Sequence, residues 1–422
     1  MSNKKIRWVS MQSLIGGMAL GAEEAFGTKP LFTIDFEGPD KGNSSAYMHY
    51  MNNIKKSNLR QLVLEGGILS MSKKFKSEED EAFFVKECHD IDVVSAVPIC
   101  SGLSQANTVN DKSKATVRGS DAQQNNNMYG VAEFTFERIK PKVFIFENAP
   151  ALFTKVGAGV REKLKEMGEK YGYSVTWVKT NTNKHGSPQY RSRTFGIFWK
   201  GDKCPKLNYV NKPHKNIADF LAEISPEAKY NDNDHLNNKR GFASGFYKFV
   251  KAKYGDNWRE GIQGNFWTNV VKNNEWAELE TYCDEKELKF VKHCEAKLAQ
   301  GLGWMDTQTL AFKSYDETAT VFHRSIATMV HPVEDRGFTQ RELMKLMGMP
   351  DDFEYPDEWK NQIWISQNVP VMTSRTWHEQ IKDYLDGKLE MLDESEVYFN
   401  NEAGEKPVKK KKSTSTLESC LE

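Results

Sequence analysis

The expected architecture follows from two short stretches, VPICSGLS at residues 97–104 and FIFENAP at residues 144–150. Each follows or contains an apolar run typical of a buried strand, so Cys100 and Glu147 are predicted to project from the ends of neighbouring strands. In a parallel α/β sheet, ligands and chemistry lie at that carboxyl edge. A nucleophilic thiol facing a carboxyl group that can hand over a proton is the pair needed for conjugate addition to an electron-poor ring.

The start of the chain has the pattern of a nucleoside-binding βαβ unit. Residues 6–10 (IRWVS) and 31–34 (LFTI) predict strands, and between them Gly16 and Gly17 open a helical pattern. The second strand ends at Asp35, whose carboxylate can accept hydrogen bonds from ribose hydroxyls. Because any strand-to-helix turn can carry two glycines, the glycine signal alone is weak.

Two further stretches bear on the site. Residues 105–127 follow Cys100 closely and are rich in Asn, Gln, Ser, Asp and Lys, so they predict a mobile lid. In SPQYRSRTF at residues 187–195, Arg191 and Arg193 alternate with other side chains. Both guanidinium groups are therefore expected on one face of a strand, where they would favour the thiolate form of Cys100.

The alternation of strands and helices predicts the domain organisation. It runs through residues 1–199, stops in an inserted domain at residues 200–323, and returns at residues 324–395. The returning part contains a capping-box helix that starts at Thr339 and a last helix at about residues 370–385. Residues 396–422 are polar, include four consecutive lysines and predict a disordered basic tail.

Composition excludes several classes of protein. Hydrophobic residues make up 39%, and 58 Lys plus Arg balance 58 Asp plus Glu, which predicts a folded protein without a general polyanion-binding charge. The six cysteines include no CxxC pair and the histidines lack metal-ligand spacing, so no metal site and no disulfide framework are predicted. The sequence has no run of about 18 apolar residues, so no membrane span is predicted. The start of the chain weakly resembles a signal peptide, but Arg7 and Gln12 interrupt its apolar stretch. With the cysteines scattered, a reducing cytoplasm is the expected compartment.

Each candidate residue also has a purely structural explanation. A free cysteine is usually a small buried hydrophobe. Glu147 could cap a helix or form a salt bridge, and the arginine pair could be surface charge on a strand. Their joint placement at the strand ends of one predicted sheet favours a catalytic site made of Cys100, Glu147, Arg191 and Arg193.

In this order, the motifs resemble those of the DNA cytosine-5 methyltransferase family over nearly all of residues 6–390. The family's Pro-Pro-Cys-Gln is PICS at residues 98–101, its Glu-Asn-Val is ENA at residues 147–149, and its Gln-x-Arg-x-Arg is matched in full at residues 189–193. RGFTQRE at residues 336–342 and GMPDDF at residues 348–353 resemble the family's Arg-x-Leu-Thr-x-Arg-Glu and Gly-Phe-Pro-Asp-Asp-Phe. One such motif could be chance, whereas all of them in order are highly specific.

The resemblance implies a Rossmann-like α/β domain with a doubly wound mixed sheet that uses S-adenosylmethionine, and an inserted target-recognition domain that reads bases in the major groove. It implies that a cytosine is flipped out of double-stranded DNA and that Cys100 adds to its C6 atom. Glu147 would contact the N3/N4 edge, the arginines would steady the ring, and C5 would take the methyl group. Further substrate contacts are implied for Pro98, Ser104, Asn148 and Gln189. The implied setting is a monomer that serves restriction–modification in the cytoplasm of a bacterial or phage-infected cell.

The departures from the family pattern lie on the cofactor side. The family's Phe-x-Gly-x-Gly-Gly is QSLIGG at residues 12–17, its Gly-Asp-Ile is GGI at residues 66–68, and its Gly-Asn-x-Val-Pro is SQNVP at residues 366–370. An aromatic wall, a glycine and a carboxylate are thereby lost, whereas the acidic and aromatic pair at residues 35 and 36 fits. The residues implied to bind the cofactor are Gln12, Ile15, Gly16, Gly17, Asp35, Phe36, Ile68 and Gln367.

The sequence leaves four functions open. The first is a divergent enzyme that still transfers a methyl group from S-adenosylmethionine to C5 of cytosine, and the second is an enzyme that uses an altered donor of the same type. The third is a DNA-binding protein that flips a base without turnover, and the fourth is a relative that acts on tRNA. The intact catalytic motifs favour an enzyme, the altered cofactor motifs favour the second and third functions, and the long insert favours DNA.

Overall fold

The computed structural model describes residues 5–36, 46–66, 72–103, 119–231, 244–263, 266–299, 310, 312–318, 329–356 and 363–404. Two residues implied in binding, Ile68 and Ser104, lie outside these ranges, as do most of the predicted lid and the lysine-rich end of the chain. The described residues form one mixed sheet with helices on both faces, followed in sequence by a cluster of further helices.

In the part of the chain that the structure describes, eight strands form one sheet. They are β1 Trp8–Met11, β2 Thr33–Phe36, β3 Gln61–Leu64, β4 Val93–Ala96, β5 Val143–Asn148, β6 Tyr173–Asn181, β7 Ser192–Lys200 and β8 Glu396–Asn400. Their spatial order is β3-β2-β1-β4-β5-β7-β6-β8. Strands β1 to β5 run parallel, β7 is antiparallel to both neighbours, and β8 is parallel to β6. The predicted doubly wound mixed sheet is confirmed, with a topological switch point between β1 and β4.

The helices begin and end close to the predicted positions where the sequence is strongly periodic. They are α1 Gly17–Phe26, α2 Ala46–His49, α3 Glu78–Glu87, α4 Asn125–Phe134, α5 Ala158–Lys170, α6 Ile217–Leu221, α7 Gly245–Tyr254, α8 Trp258–Gly261, α9 Phe266–Asn273, α10 Trp276–Glu280, α11 Glu285–Ala299, α12 Gln340–Leu346, α13 Ile363–Gln367 and α14 Val371–Leu385. The predicted capping box of α12 is present, with reciprocal bonds between Thr339 and Glu342. The predicted last helix is α14.

Side chains alternate between the two faces of the sheet and pack into two apolar clusters. On β4, Val93 belongs to the first cluster and Val94 to the second. Helices α1 and α14 contribute to the first cluster, and α3, α4 and α5 to the second. Strands buried on both faces therefore appear in the sequence as continuous apolar runs, such as VFIF in β5.

The predicted insert is helical in its described residues. Helices α7 to α11 pack around a third apolar cluster that includes Phe249, Trp258 and Val291. The segment before these helices packs into the first cluster instead, through Cys204, Leu207, Ile217 and Leu221. The described residues between 200 and 323 are thus divided between two cores.

The prediction of a disordered tail from residue 396 is wrong at its start. Strand β8 pairs in parallel with β6, and a 3-10 turn follows at Asn401–Ala403. Phe399 packs into the first cluster, and Trp177 Nε1 donates a hydrogen bond of 2.9 Å to Glu396. The overall polarity of this stretch obscured three consecutive apolar residues, which pack on both faces at the edge of the sheet.

The polar stretch predicted as a lid also ends earlier than expected. Helix α4 begins at Asn125, inside the stretch at residues 105–127 that was predicted as the lid. The Asn125 side-chain amide donates to the carbonyl oxygens of Gly119 and Ser120, both at 3.0 Å. Asn127 accepts a hydrogen bond from the Ile99 backbone N–H at 2.8 Å. These side chains are polar because they bond to backbone groups, which sequence polarity alone does not distinguish from solvent exposure.

Candidate active site

Cys100 lies in a tight turn after β4, the strand predicted to present it. The turn is tied to α4 by the bond from Ile99 N to Asn127 Oδ1, 2.8 Å long. A Cβ atom on Gly102 would lie 2.5 Å from Asn125 Oδ1, so the turn closes only around a residue without a side chain. This geometry leaves Cys100 exposed to solvent.

Glu147 is the penultimate residue of β5, the strand next to β4. Arg193 on β7 reaches it, and Arg193 Nε lies 2.8 Å from Glu147 Oε1. Glu147 is buried, so its negative charge is balanced by an adjacent cation where little water can screen the pair. The carboxyl group and the guanidinium group thus form a fixed unit beside the Cys100 turn.

Arg191 is buried just before β7 begins. Its Nη2 donates to the carbonyl oxygens of Ser366 at 2.6 Å and Asn368 at 3.0 Å, and its backbone N–H donates to Asn181 Oδ1 at 3.0 Å. Its charge acts on both Cys100 and Glu147. The structure therefore brings together the four residues predicted as catalytic, from three neighbouring strand ends.

Burial raises the pKa of both the Cys100 thiol and the Glu147 carboxyl group. Although solvent reaches Cys100, so much protein surrounds it that desolvation raises the pKa of its thiol, and Glu147 raises it further, while Arg193 and Arg191 oppose both effects. Burial also raises the pKa of Glu147, again against the two arginines. A carboxyl group with a raised pKa can hold a proton near neutral pH and release it to a bound base.

The described residues implied to contact substrate make scaffold contacts. Asn148 Oδ1 accepts from the backbone N–H of Ala149 at 2.9 Å, and its Nδ2 approaches the Ile99 carbonyl oxygen at 3.5 Å. Gln189 is buried, and its Nε2 donates to the Leu346 carbonyl oxygen at 3.1 Å. Pro98 is buried under the Cys100 turn. Asn148 thus joins the end of β5 to that turn, and Gln189 joins the arginine segment to α12.

The turn between β1 and α1 has the shape predicted for a cofactor cradle. Gly16 adopts a φ of 103°, which favours glycine. A Cβ on Gly17 would lie 1.9 Å from the Val369 carbonyl oxygen, so no side chain fits there. Ile15 is fully buried in the first cluster beneath the turn. The absence of side chains at residues 16 and 17 therefore lets this turn pack closely against Tyr47 and the segment at residues 368–369.

Two polar side chains at the ends of β1 and β2, the buried Gln12 and the half-buried Asp35, have few partners. Gln12 Oε1 has no hydrogen-bond partner among the residues that the structure describes. Asp35 accepts one bond, from the Phe36 backbone N–H at 2.9 Å, and burial raises its pKa to about 7. Both groups can accept hydrogen bonds from a ligand. Their chemistry fits the ribose hydroxyls and amino groups of S-adenosylmethionine.

Near the end of the chain, the side chain bonded to the glycine turn belongs to Asn368, the neighbour of the predicted cofactor residue Gln367. Gln367 is exposed, whereas its neighbour Asn368 is buried and accepts a bond from the Gly17 backbone N–H at 2.8 Å. Motif comparison placed Gln367 at the position of the family's asparagine and left Asn368 out. The sequence could have indicated Asn368 only through its residue type, since it is an asparagine beside an apolar stretch.

Within the described ranges, no group of three or more His, Cys, Asp or Glu side chains is arranged to hold a metal ion. No helix in the same ranges is long and apolar enough to cross a membrane.

Known proteins share this architecture. A candidate DNA modification methyltransferase encoded within an E. coli prophage has a TM-score of 0.55 at 18% sequence identity, covering 90% of this chain and 99% of that one. The S. pombe Dnmt2 methyltransferase has a TM-score of 0.51 at 14% identity, covering 91% of this chain and all of that one. The type II methyltransferase M.DdeI of Desulfomicrobium norvegicum is 22% identical over 331 residues, which are 73% of this chain and 76% of that protein.

The doubly wound mixed sheet is thus the Rossmann-like fold of these solved methyltransferases. A family model described as C-5 cytosine-specific DNA methylase matches residues 6–383. The chain belongs to this family, and the resemblance found in its motifs is confirmed. It is therefore a DNA methyltransferase of the cytosine-specific class.

Proposed function

We propose that this enzyme flips a cytosine out of double-stranded DNA and methylates its C5 atom through a covalent adduct with Cys100. The observation that carries the proposal is the convergence of an exposed thiol, a paired carboxyl group and two guanidinium groups at one edge of the sheet. A flipped base is required because C5 and C6 of a stacked pyrimidine cannot be approached from both faces of the ring.

In the proposed reaction, the Cys100 thiol loses its proton to solvent and the sulfur forms a bond to C6. The electron pair displaced from the C5–C6 double bond is stabilised when Glu147 delivers a proton to N3, which its raised pKa allows. C5 becomes nucleophilic and takes the methyl group. The N3 proton then returns to Glu147. Loss of the C5 proton to solvent re-forms the C5–C6 double bond and expels the Cys100 sulfur.

The arginines have separate parts in this proposal. Arg193 holds Glu147 in place through the 2.8 Å contact. Arg191 and Arg193 both favour the thiolate of Cys100, because their positive charges oppose the effect of burial on its pKa. The binding of a neutral base would displace water from the site and strengthen both interactions.

S-adenosylmethionine, when bound, supplies an electrophilic methyl group. The turn at residues 16 and 17 would lie beside the cofactor, and Asp35 would accept bonds from the ribose hydroxyls. Gln12 would offer a further acceptor where the family has an aromatic residue. Phe36, buried beside Asp35, would supply an apolar wall.

The helices α7 to α11 are proposed as the recognition domain that reads DNA bases. They form a core of their own, the third cluster, in the sequence between the arginine motif and α12. The catalytic domain would comprise residues 1–199 and 324–395, extended by β8. The segment that follows Cys100 would close over the flipped base.

Bisulfite sequencing of host DNA after expression tests the function directly. We expect a recurring sequence with conversion-resistant cytosines, and none when Cys100→Ala is expressed to the same level. Because Cys100 is exposed, that variant should fold normally. Complete conversion with the unchanged enzyme would contradict the proposal.

An altered donor of the S-adenosylmethionine type is a second candidate, favoured by one observation. Gln12 Oε1 is buried and lacks a partner among the described residues. This oxygen could therefore accept a hydrogen bond from a chemical group that the ordinary cofactor does not have. Calorimetry decides between the two, since micromolar binding of plain S-adenosylmethionine removes the reason for this alternative. Covalent trapping on a duplex that contains 5-fluorocytosine at the mapped site separates either enzyme from a protein that only flips the base.

A further inference from the structure

The segment at residues 366–370, which comprises the end of α13 and the link to α14, contacts both halves of the site. Its Asn368 side chain reaches the turn after β1, and its backbone carbonyl oxygens reach Arg191. The two contacts lie within three residues of each other. A displacement of this segment therefore moves groups on the cofactor side and on the base side together.

The contact with the cofactor turn is tight. Gly17 N donates to Asn368 Oδ1 at 2.8 Å, and a Cβ on Gly17 would lie 1.9 Å from the Val369 carbonyl oxygen. On its other side, Asn368 Nδ2 lies 2.9 Å from Met349 Sδ. Asn368 is buried, with 3% of its surface exposed, so water cannot replace these bonds.

The contact with the base site is equally direct. Arg191 Nη2 donates to the carbonyl oxygens of both Ser366 and Asn368. The position of this guanidinium group matters because its charge acts on Cys100 and on Glu147. A continuous series of buried hydrogen bonds thus runs from Gly17 to Arg191, and from there an electrostatic interaction reaches the nucleophile.

We propose that Asn368 is a positioning residue that couples occupancy of the glycine turn to the reactivity of Cys100, with Arg191 as the intermediary. The inference rests on the proposed function, because it takes the turn at residues 16 and 17 as the cofactor site. A ligand that settles on this turn fixes Gly17, Asn368 and, through the segment at residues 366–370, the guanidinium group. The nucleophile is then activated when the methyl donor is present.

The coupling is measured as the pH dependence of alkylation of Cys100 by iodoacetamide, followed by mass spectrometry of the Cys100 peptide. Alkylation requires the thiolate, so the midpoint of the profile reports the pKa of the Cys100 thiol. A ligand that merely covers Cys100 would slow alkylation at every pH without moving this midpoint. The profile is recorded with and without saturating S-adenosylhomocysteine, which lacks the sulfonium charge. In the unchanged enzyme, we expect the ligand to lower the midpoint by about half a pH unit, because a fixed Arg191 favours the thiolate.

Asn368→Leu keeps the size of the side chain and removes its hydrogen bonds. We expect its midpoint without ligand to lie above that of the unchanged enzyme, and the ligand-induced shift to disappear. Asn368→Asp retains an acceptor for Gly17 N and should retain the shift. Asn211→Leu makes the same chemical change at an exposed position and should match the unchanged enzyme. If Asn368→Leu does not fold, Asn368→Ser carries the same expectation.

Calorimetry with S-adenosylhomocysteine accompanies each profile and separates the possible failures. If the unchanged enzyme binds this ligand but the midpoint does not move, or if Asn368→Leu shows the full shift, the coupling is refuted while the proposed function stands. If the unchanged enzyme does not bind the ligand, the assignment of the cofactor turn fails and the coupling fails with it.

Discussion

Arg193 and Glu147 form the pair of residues on which the proposed chemistry most depends. Their contact is 2.8 Å long, and their side chains are only 16% and 7% exposed. In such a setting each charge is tolerated because the other is present. The same burial that raises the pKa of Glu147 suits it to proton transfer, so one environment supplies both the structural constraint and the reactivity.

Removal of one partner from this pair should be costly. We expect Arg193→Met to lower the free energy of unfolding by about 3 kcal/mol, because it leaves a buried carboxylate without a cation. The loss of activity should reach about a hundredfold or more, since Glu147 is no longer oriented. Urea denaturation and methyl transfer to DNA measure the two effects.

The matched control is Lys203→Met, which breaks the exposed pair between Lys203 and Asp393. Solvent screens this pair, so little or no change in stability is expected. Equal stability of the two variants would show that the contact at the site is not protected from water.

Asp35 should make stability depend on pH. Burial raises its pKa to about 7, well above the ~3.9 of an exposed aspartate. Between about pH 4 and pH 7 the folded state keeps a proton that the unfolded state releases, so the free energy of unfolding falls as pH rises. We expect Asp35→Asn to flatten this slope and to gain stability relative to the unchanged enzyme above neutral pH. Urea denaturation at a series of pH values measures the slope, and identical slopes would contradict the burial of a protonated Asp35.

At the residue scale, sequence predicts the reacting groups better than their supports. Cys100, Glu147 and the two arginines were predicted together because their chemistry allows few substitutes. Asn127, Asn181 and Asn368 were missed, although each accepts a bond from a backbone N–H group that holds the site together. Such contacts depend on which chain segments meet in space, and a sequence pattern does not contain that information.

At the scale of elements, the central strands were predictable and the edge was not. Apolar runs such as VFIF predict a strand that is buried on both faces. Strand β8, by contrast, is a short stretch in polar surroundings, and it becomes a strand because the edge of β6 offers unpaired backbone groups. The start of helix α4 was included in the predicted lid for a related reason, since its polar Asn127 bonds to the Cys100 turn.

Truncation tests the role of β8. A chain ending at residue 395 should lose at least about 2 kcal/mol of stability, because Phe399 and its neighbours no longer cover the sheet edge. It should also aggregate more readily, since the edge of β6 becomes exposed. A chain ending at residue 404 keeps the strand and serves as the control. Thermal unfolding and light scattering compare the two, and equal behaviour would show that β8 adds nothing to the sheet.

At the scale of the whole molecule, Asp335 joins the third cluster to the rest of the enzyme. Its carboxylate accepts bonds from Tyr247 Oη at 2.8 Å, Trp258 Nε1 at 3.2 Å and Arg259 Nη2 at 3.0 Å. The next residue, Arg336, is paired with Glu342 on α12 at 2.8 Å. Among the described residues, these charged groups therefore help to attach the helical cluster to the catalytic part.

Asp335→Ala should loosen this attachment without disturbing the cofactor turn. We expect faster proteolysis within α7 to α11 and weaker DNA binding, because Arg259 is left buried without its partner. Binding of S-adenosylhomocysteine should stay within about twofold, since the turn at residues 16 and 17 is unaffected. Asp256→Ala, which removes an exposed partner of Lys251, is the control. Resistance of Asp335→Ala to protease would show that the apolar contacts suffice.

The bond between Gly17 and Asn368 spans 351 positions of the chain. Domains fold progressively during translation, beginning with the amino-terminal portion. Here the turn after β1 is braced by a segment made 351 residues later, so that whole stretch must be translated before the bond can form. An interrupted translation product that stops before Asn368, even one that already carries Cys100 and Glu147, lacks this brace on the proposed cofactor turn.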